Sequence, residues 1–408
     1  MLKNFLSGLF LLCLLHLTAQ DSLRTYYAWS LDAYKQKDYQ LFLKYAKRAN
    51  DLRPNHPTLA YNIAAAYAIN GYPEKSIEAL QRYLQMNASM EYMQDLDFVS
   101  LKDLPAFKAL KNQVKKSQER IETSSSEFKL EQTKNHFESI GYNKKDECFL
   151  LGSITTRSLF SYSKGELHEM LSYEKNPMLY GVMGIDYSND LIWVCSAALP
   201  EIDDYTEEIK NKSSVFGIHP GNGKVKFQYD VPNAILGDVI YVNDKLVLAT
   251  DGYGNKIYQL SRSGAEVYAD LSDELFNLQG LVYLDERIIL SDYILGLHEY
   301  DPVTQQLSKI DSKGLYADKG SDGLLYENGY LYCFQNGTIP KRTFRLKLDD
   351  LEVQSVEIID QNLYEKGEPT QGVIVNGEIY YISNSAWGAY DESGYTGGDD
   401  LVVRKIKP

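Results

Sequence analysis

The residues best suited to chemistry are polar side chains that open six similar segments in the last two-thirds of the chain. Each segment starts with a lead residue, continues as a short apolar strand, and is followed by a second strand that ends in small or polar residues. The lead residues are Glu138, Met183, Asp238, Gln279, Asp322 and Gln371. Five of the six carry carboxylate or amide oxygens, which are the ligands that hard cations such as Ca²⁺ and Mg²⁺ prefer. If the segments face one centre, they form a ring of oxygen ligands with one gap.

The spacing of the lead residues indicates how such a ring would be built. Successive lead residues are 45, 55, 41, 43 and 49 residues apart. A period of this size, with several short strands in each repeat, is typical of a β-propeller. Asn328-Gly329 and Asn376-Gly377 are good turns between the first two strands of their segments. We therefore predict a six-bladed all-β propeller over residues 128–408, with the lead residues facing its central channel.

The two ends of this region suggest how the propeller closes. Residues 128–130 are strand-like and have no hairpin partner of their own, and residues 401–406 are a second unpaired apolar run. An unpaired sheet edge is an aggregation hazard. We therefore predict that residues 128–130 pair with the C-terminal strands and complete the sixth blade.

Residues 22–118 have a helical pattern, so the whole chain is expected to be multidomain. Two copies of one motif follow each other, and Lys37 of the first aligns with Gly71 of the second at a shift of 34. This pattern resembles the tetratricopeptide repeat, whose period is 34 residues. Residues 97–110 resemble the shorter unit that caps such arrays. The resemblance leaves two roles open, a structural spacer, which we favour, or a surface for a protein partner. Residues 119–127 are predicted to be a linker.

The first 19 residues are predicted to be a signal peptide. Lys3 precedes the apolar run 5–17, and cleavage after Ala19 fits the residues around it. A spanning helix needs about 20 apolar residues, so cleavage is favoured over anchoring, and no transmembrane segment is expected after signal removal. The mature protein is expected to be exported, either periplasmic or secreted. Lipid attachment at Cys13 is the less favoured alternative, because the preceding residues are not small.

Charge and cysteine content exclude some classes of partner and fold. The net charge of −14 argues against a nucleic-acid partner and against binding to anionic lipid. It is compatible with a metal ion, a cationic ligand or a neutral sugar-like molecule. Outside the predicted signal peptide, Cys148, Cys195 and Cys333 are an odd number in apolar strand patterns, which indicates buried core residues rather than a disulfide scaffold.

The six-segment pattern resembles the SMP-30/gluconolactonase family, which includes regucalcin. The resemblance implies one divalent cation in the channel (Ca, Mg, Mn or Zn), with Glu138, Gln279 and Asp322 as its ligands. It places Asp238 at the substrate position, as the general base. The activity implied is hydrolysis of a lactone or related ester by metal-bound water. Gln279 stands where the family usually has Asn, which is one methylene shorter.

Other residues complete the predicted site. Gln371 is expected to supply polar contact in the channel, and Asp251, in the predicted turn Asp251-Gly252, is assigned to the channel too. Trp387 follows the second strand of the sixth segment, where it could stack on a sugar ring or simply pack. The histidines lack H-E-x-x-H spacing, and Ser385 is interpreted as a small residue near the channel mouth. The alternative function is a non-catalytic ligand-binding or scaffold protein that uses the channel and the helices.

Overall fold

The computed structural model describes residues 22–188, 190–261 and 264–407. It divides the chain into two compact units, with the division between Glu119 and Arg120. The predicted signal peptide, residues 1–19, lies outside the described residues. Throughout the described ranges, no helix combines the length and the apolar character needed to cross a membrane.

The first unit is helical. Residues 22–35 form α1, followed by α2 (Tyr39–Leu52), α3 (Pro57–Ile69), α4 (Pro73–Met86), the 3₁₀ segments Glu91–Met93 and Leu96–Leu101, and α5 (Pro105–Gln118). Proline occupies the first position of α3, α4 and α5, where its missing N–H leaves no helical hydrogen bond unmade. The helices pack through buried apolar faces that include Phe42, Ile63 and Leu80.

The geometry of this unit follows the 34-residue shift seen in the sequence. Both bounds of α4 equal those of α2 plus 34. The aligned turn residues also share a conformation, because Lys37 has φ 59° and Gly71 has φ 80°. Lys37 therefore adopts a left-handed backbone that favours glycine. The tetratricopeptide assignment itself stays a prediction.

The second unit is a six-bladed β-propeller. Blade 5 has an additional outer strand, β1 (Ile121–Glu122), and blade 6 takes its outer strand, β2 (Ser125–Leu130), from the start of the unit. Blade 1 consists of β3 (Phe137–Asn143), β4 (Cys148–Ser153), β5 (Ser158–Ser163) and β6 (Glu166–Ser172). Blade 2 consists of β7 (Gly181–Ser188), β8 (Leu191–Ala197), β9 (Lys212–Ile218) and β10 (Val225–Pro232). Blade 3 consists of β11 (Leu236–Asn243), β12 (Leu246–Asp251), β13 (Lys256–Ser261) and β14 (Gly264–Asp270).

The remaining blades follow in chain order. Blade 4 consists of β15 (Leu278–Leu284), β16 (Arg287–Asp292), β17 (Gly296–Asp301) and β18 (Gln306–Lys309). Blade 5 consists of β19 (Ser321–Glu327), β20 (Tyr330–Gln335), β21 (Arg342–Asp349) and β22 (Glu352–Gln361). Blade 6 consists of β23 (Gly372–Val375), β24 (Glu378–Ile382) and β27 (Leu401–Ile406), with the hairpin β25 (Tyr390–Asp391) and β26 (Gly394–Tyr395) in the connection. The first-listed strand of each blade is its inner strand, and neighbouring inner strands contact each other around the ring.

The predicted closure is confirmed. Strand β2 pairs antiparallel with β27, and Leu130 lies opposite Leu401. The linker predicted over residues 119–127 is corrected, because these residues contribute β1 and the start of β2. The polar Ser and Glu residues there suggested a linker, yet sheet edges accept polar strands whose outer face meets solvent. Cys148, Cys195 and Cys333 are buried and not disulfide-bonded, as predicted.

A bulge recurs near the start of the inner strands. In blades 1 and 2 the pairing register skips one residue, Glu138 and Met183 respectively. In blades 4 and 5 the skipped pairs are Gln279-Gly280 and Asp322-Gly323. A bulge re-aims the side chain of its extra residue. The fold therefore turns one residue of each of these inner strands towards the channel.

Candidate functional site

The channel is divided into two cavities by one side chain. Gln371, at the start of the blade 6 inner strand, extends across the channel, and its Nε2 donates to Met183 O at 2.7 Å and Gly237 O at 3.2 Å. The upper cavity, on the side where the inner strands begin, has a volume of about 470 Å³. The lower cavity, on the side where they end, has a volume of about 400 Å³. Gln371 lines both cavities.

The upper cavity is lined by acids and amides. Its charged and amide side chains are Glu138, Asn277, Gln279, Asp322, Asn336 and Glu368, besides Gln371. Within the described chain, no Lys or Arg lines this cavity. Three carboxyl groups around one small space repel each other when ionised, so the cavity favours bound protons or a cation.

Glu138 is held by two side chains that are distant in sequence. Its Oε2 accepts hydrogen bonds from the Ser385 hydroxyl and from Trp387 Nε1, the latter at 2.9 Å. The side chain is almost fully buried. Burial raises its pKa well above the ordinary value, and the nearby Asp322 carboxyl raises it further. Glu138 therefore holds its proton more tightly than an ordinary glutamate does, and an approaching positive charge would favour its ionised form.

His136 anchors this arrangement from behind. Its Nε2 lies 2.8 Å from Ser385 Oγ and its Nδ1 lies 2.7 Å from the Tyr390 hydroxyl. Because the Ser385 proton is directed to Glu138, Nε2 must donate to Ser385, and Nδ1 then accepts from Tyr390. Complete burial lowers the pKa of His136 to about 3, so the imidazole is neutral. The histidine thus orients the serine that holds Glu138.

Asp322 is the second carboxyl group of the upper cavity. Its Oδ2 accepts from Asn336 Nδ2 at 2.8 Å, and Asn336 Oδ1 accepts from the Tyr293 hydroxyl at 2.8 Å. Burial raises the pKa of Asp322 to about 7; the Asn336 bond opposes this, and Glu368 adds to it. Asp322 therefore changes protonation near neutral pH.

Gln279 and Glu368 complete the polar lining. The Gln279 amide nitrogen donates to Asn277 Oδ1, so the amide oxygen is the atom of Gln279 that could bind a cation. Glu368 forms an ion pair with Lys341 at 2.9 Å, and both side chains are about one-quarter exposed. Glu368 is the one carboxylate of this cavity with a Lys or Arg partner in the described ranges, whereas Glu138 has the neutral His136 at 3.8 Å.

The structure separates Asp238 from the other predicted site residues. In blade 3 the strand pairing includes Leu236 and Asp238 but skips Gly237, and Gly237 is the residue that lines the upper cavity. Asp238 lines the lower cavity, beyond Gln371. The alignment of blade 3 is therefore corrected by one residue. The sequence alignment took the polar Asp238 as the lead residue, because the true lead residue is a glycine without a polar side chain.

The other predicted residues divide between lining and support. Glu138, Gln279, Asp322, Gln371 and Trp387 all line the upper cavity. Asp251 is fully buried behind the wall, where its Oδ1 accepts the N–H groups of Ile235 and Tyr253, each at 2.9 Å. The channel assignment of Asp251 is thus corrected to a loop-bracing role. Asp292 braces the equivalent loop of blade 4.

Sequence reasoning missed several functional residues. Tyr293 and Asn336 each follow directly after the second strand of a blade, the same place that had drawn attention to Trp387. That repeated position could therefore have identified Tyr293 and Asn336 from the sequence. No sequence pattern could have identified His136, Ser385 and Tyr390, because they meet only when blades 1 and 6 are adjacent.

The upper cavity offers oxygen donors that a divalent cation could use. Carboxylate and amide oxygens suit Ca²⁺ or Mg²⁺, and the cavity wall supplies acids without a lining base. One oxygen each of Glu138 and Asp322 is occupied by a donor, which leaves Oε1 and Oδ1 towards a cation. Across the described ranges, no three His, Cys, Asp or Glu side chains are grouped closely enough to hold a metal alone. A cation here would need the Gln279 oxygen or ligand oxygens as well.

The known structures that resemble this chain resemble it only distantly. No family model matches the sequence, and no curated protein is similar to it. A PQQ-bound aldose sugar dehydrogenase from Streptomyces coelicolor is 14% identical, with 69% of this chain and 97% of that chain covered and a TM-score of 0.49. Virginiamycin B lyase from Staphylococcus aureus is 13% identical, with 69% and 88% covered and a TM-score of 0.44. Likeness at this level carries no argument about chemistry, and the gluconolactonase resemblance stays a prediction.

Proposed function

We propose that the upper cavity binds a divalent cation between Glu138 and Asp322, together with a small hydroxyl-bearing ligand. The observation that carries this proposal is a pair of carboxyl groups, the buried Glu138 and the partly buried Asp322, both with raised pKa, in a cavity whose described lining has no Lys or Arg. Ionising both groups without a counter-charge is unfavourable. A divalent cation would remove that cost and lower both pKa values.

The chain offers a plausible ligand set for such a cation. Glu138 and Asp322 would contribute one carboxylate oxygen each, and Gln279 would contribute its amide oxygen. The supporting bonds from Ser385, Trp387 and Asn336 would hold the carboxylates in place, as outer-shell donors do in metal sites. When bound, the cation would supply Lewis-acid polarisation of a ligand oxygen.

The cavity also constrains the organic ligand. A volume of about 470 Å³ is within the range of small-molecule sites. Trp387 and Tyr293 are partly buried aromatic walls, and the amides of Asn277 and Asn336 lie beside them. Aromatic faces with amide groups suit a sugar-like molecule or its lactone. The proposed ligand is therefore small, polar and rich in hydroxyl groups.

Hydrolysis of a lactone or related ester is the second candidate function. It requires a base inside the upper cavity, and Asp238 lies beyond Gln371. Glu368 is the remaining carboxylate of the same cavity, so it takes the place of Asp238 as candidate base. The alternative, a non-catalytic binding protein, uses the same cation and ligand without this step.

Calorimetric titration with Ca²⁺, Mg²⁺, Mn²⁺ and Zn²⁺ tests the proposal. We expect binding by the wild type and a loss of affinity of at least about 100-fold in Asp322→Asn, because Asp322 is a proposed direct ligand and changes to outer-shell residues alone reach about that size. Asp238→Asn is the matched control, with the same change in the other cavity, and should bind normally. Absence of binding to all four ions would refute the cation site.

Catalysis is tested separately. Turnover of a panel of sugar lactones that falls at least about 100-fold in Glu368→Gln, with metal affinity retained, would support hydrolysis. Binding of lactones without turnover would favour the non-catalytic alternative. Export of the chain and partner binding by the first unit stay predictions from the sequence.

A further inference from the structure

The lower cavity is built from a tyrosine that recurs in the inner strands. Counting four residues from each channel-facing position gives a tyrosine in five blades and Val375 in blade 6. The tyrosines are Tyr142, Tyr187, Tyr241, Tyr283 and Tyr326, and all five line the lower cavity. Each is partly buried against the core between two blades. The cavity therefore has aromatic side chains on nearly every side.

Two carboxyl groups lie among these tyrosines. Asp238 accepts the N–H groups of Val239 at 2.8 Å and Leu281 at 3.4 Å, and Asp186 accepts the Tyr241 N–H at 2.6 Å. These partners are neutral backbone groups. Within the described chain, Lys144 is the one basic residue that lines the cavity, and it is exposed at the rim. Both carboxylates thus have spare capacity for a positive ligand.

The position of Asp238 is unusual for this propeller. The residue after the channel-facing position is glycine in four of the other blades, Gly184, Gly280, Gly323 and Gly372. The reason is the close approach of neighbouring structure, because a Cβ on Gly280 would lie 2.7 Å from Asp322 O. Blade 3 places a carboxyl group where the ring otherwise favours no side chain at all. Burying a charged group is costly without compensation, which a bound cation would provide.

The rim of the lower cavity carries the same charge. The turns between the first two strands of blades 1–4 contain six acidic residues and three lysines in the described ranges. The acids are Asp146, Glu147, Asp190, Asp244, Asp285 and Glu286. The Tyr241 hydroxyl donates to Asp244, which links a cavity tyrosine directly to this rim. Such a rim raises the local concentration of cations and steers them inwards.

We propose that the lower cavity is a second ligand site, which takes a small organic cation of the amine or quaternary ammonium class. Aromatic faces attract such cations through their ring quadrupoles, and the carboxylates of Asp186 and Asp238 add direct ion pairing. A cavity of about 400 Å³ is much larger than a bare metal ion requires, whereas it suits an organic molecule. This site does not depend on the function proposed for the upper cavity.

Titration calorimetry of the full chain with choline, putrescine and spermidine tests the site, with glucose as the neutral comparison. We expect at least one amine to bind and glucose not to compete with it. Asp238→Asn should weaken amine binding about 10-fold or more, since it removes a partly buried charge partner. The matched control is Asp322→Asn, which makes the same change in the upper cavity and should leave amine affinity unaltered.

A second variant guards against misfolding of the first. Tyr283→Leu keeps an apolar side chain against the blade core but removes the aromatic face, and it should weaken amine binding about 3- to 10-fold. Circular dichroism checks the fold of each variant. The proposal is overturned if no amine binds, if Asp322→Asn alone abolishes binding, or if both lower-cavity variants bind like the wild type. Failure here together with normal metal binding would leave the upper site intact.

Discussion

The two cavities come from the same inner strands but use different positions of them. The upper cavity takes the bulged residues, which differ from blade to blade and are held by side chains from distant segments. The lower cavity takes a tyrosine repeated in five blades, with carboxyl groups held by backbone N–H groups. The repeated tyrosine gives the lower cavity a uniform aromatic wall, whereas the varied residues give the upper cavity a specific arrangement of polar groups. A one-residue shift between Gly237 and Asp238 is enough to change which cavity a carboxyl group serves.

The largest expected effect is at a tight contact between the inner strands of blades 4 and 5. Gly280→Ala would place a Cβ 2.7 Å from Asp322 O and 3.0 Å from Leu324 N, both backbone atoms that cannot rotate away. We expect a loss of about 3 kcal/mol in the free energy of unfolding. Gly237→Ala is the control, because its nearest contact is the Gln279 side chain at 3.5 Å. Urea unfolding measures both, and equal losses would mean that the two positions do not differ in packing.

The pH dependence of stability should separate the cavities next. The pKa values of Asp322 and Asp238 are both raised to about 7 by burial. A carboxyl group with a raised folded-state pKa stabilises the protein at low pH, and that contribution is lost as pH rises from about 4 to about 7. We expect each group to account for roughly 2 kcal/mol after solvent screening, and Asp→Asn at either site to remove its share.

Adding a divalent cation sharpens this test. If the cation binds only in the upper cavity, it should cancel the pH-dependent contribution of Asp322 to stability and leave the contribution of Asp238 unchanged. Thermal unfolding of the two Asp→Asn variants from pH 4 to 8, with and without Ca²⁺, gives the comparison. A stability profile that is flat in the metal-free wild type would show that neither carboxyl group is perturbed.

A smaller effect is expected where Gln371 divides the channel. Gln371→Ala removes two hydrogen bonds to backbone carbonyls of blades 2 and 3, and it joins the two cavities. We expect a loss of about 1–2 kcal/mol in the free energy of unfolding. Gln279→Ala, measured without metal, is the comparison, because its amide nitrogen bonds to the nearby Asn277 side chain rather than across the channel. A larger loss in Gln279→Ala would argue against the bridging role of Gln371.

The smallest effect concerns the indole that holds Glu138. Trp387→Phe removes the Nε1 donor at 2.9 Å and should cost about 1 kcal/mol, mostly at pH 8, where Glu138 is more ionised. Trp193→Phe is the matched control, because the buried Trp193 Nε1 lacks a hydrogen-bond partner in the described structure. Chemical unfolding at pH 5 and pH 8 measures the difference. A pH-independent loss in Trp387→Phe would indicate lost packing alone.

The repeated parts of the fold could be predicted from the sequence, and the unique contacts could not. The hairpin turns Asn328-Gly329 and Asn376-Gly377 have the left-handed backbone that their residue types indicated, with φ of 52° and 82° in each. The closing strand was also predictable, because an edge needs a partner. The one-residue error at Asp238 arose because Gly237, at the channel-facing position of blade 3, has no polar side chain to align with the other lead residues. The hydrogen bond from Ser385 to Glu138 could not be predicted from the sequence, because the two residues are 247 positions apart along the chain.

The closure between β2 and β27 has a consequence for how the protein is made. Residues 125–130 emerge early from the ribosome, but their partner, residues 401–406, is synthesised last in this region. Until then the sixth blade lacks a strand, and Arg404 has not yet met Ser124, to which its Nε donates at 2.6 Å. Contacts of such long sequence separation form slowly. The support of Glu138 by Ser385 and Trp387 crosses the same seam, so a chain released too early would lack an assembled upper site as well as a closed ring.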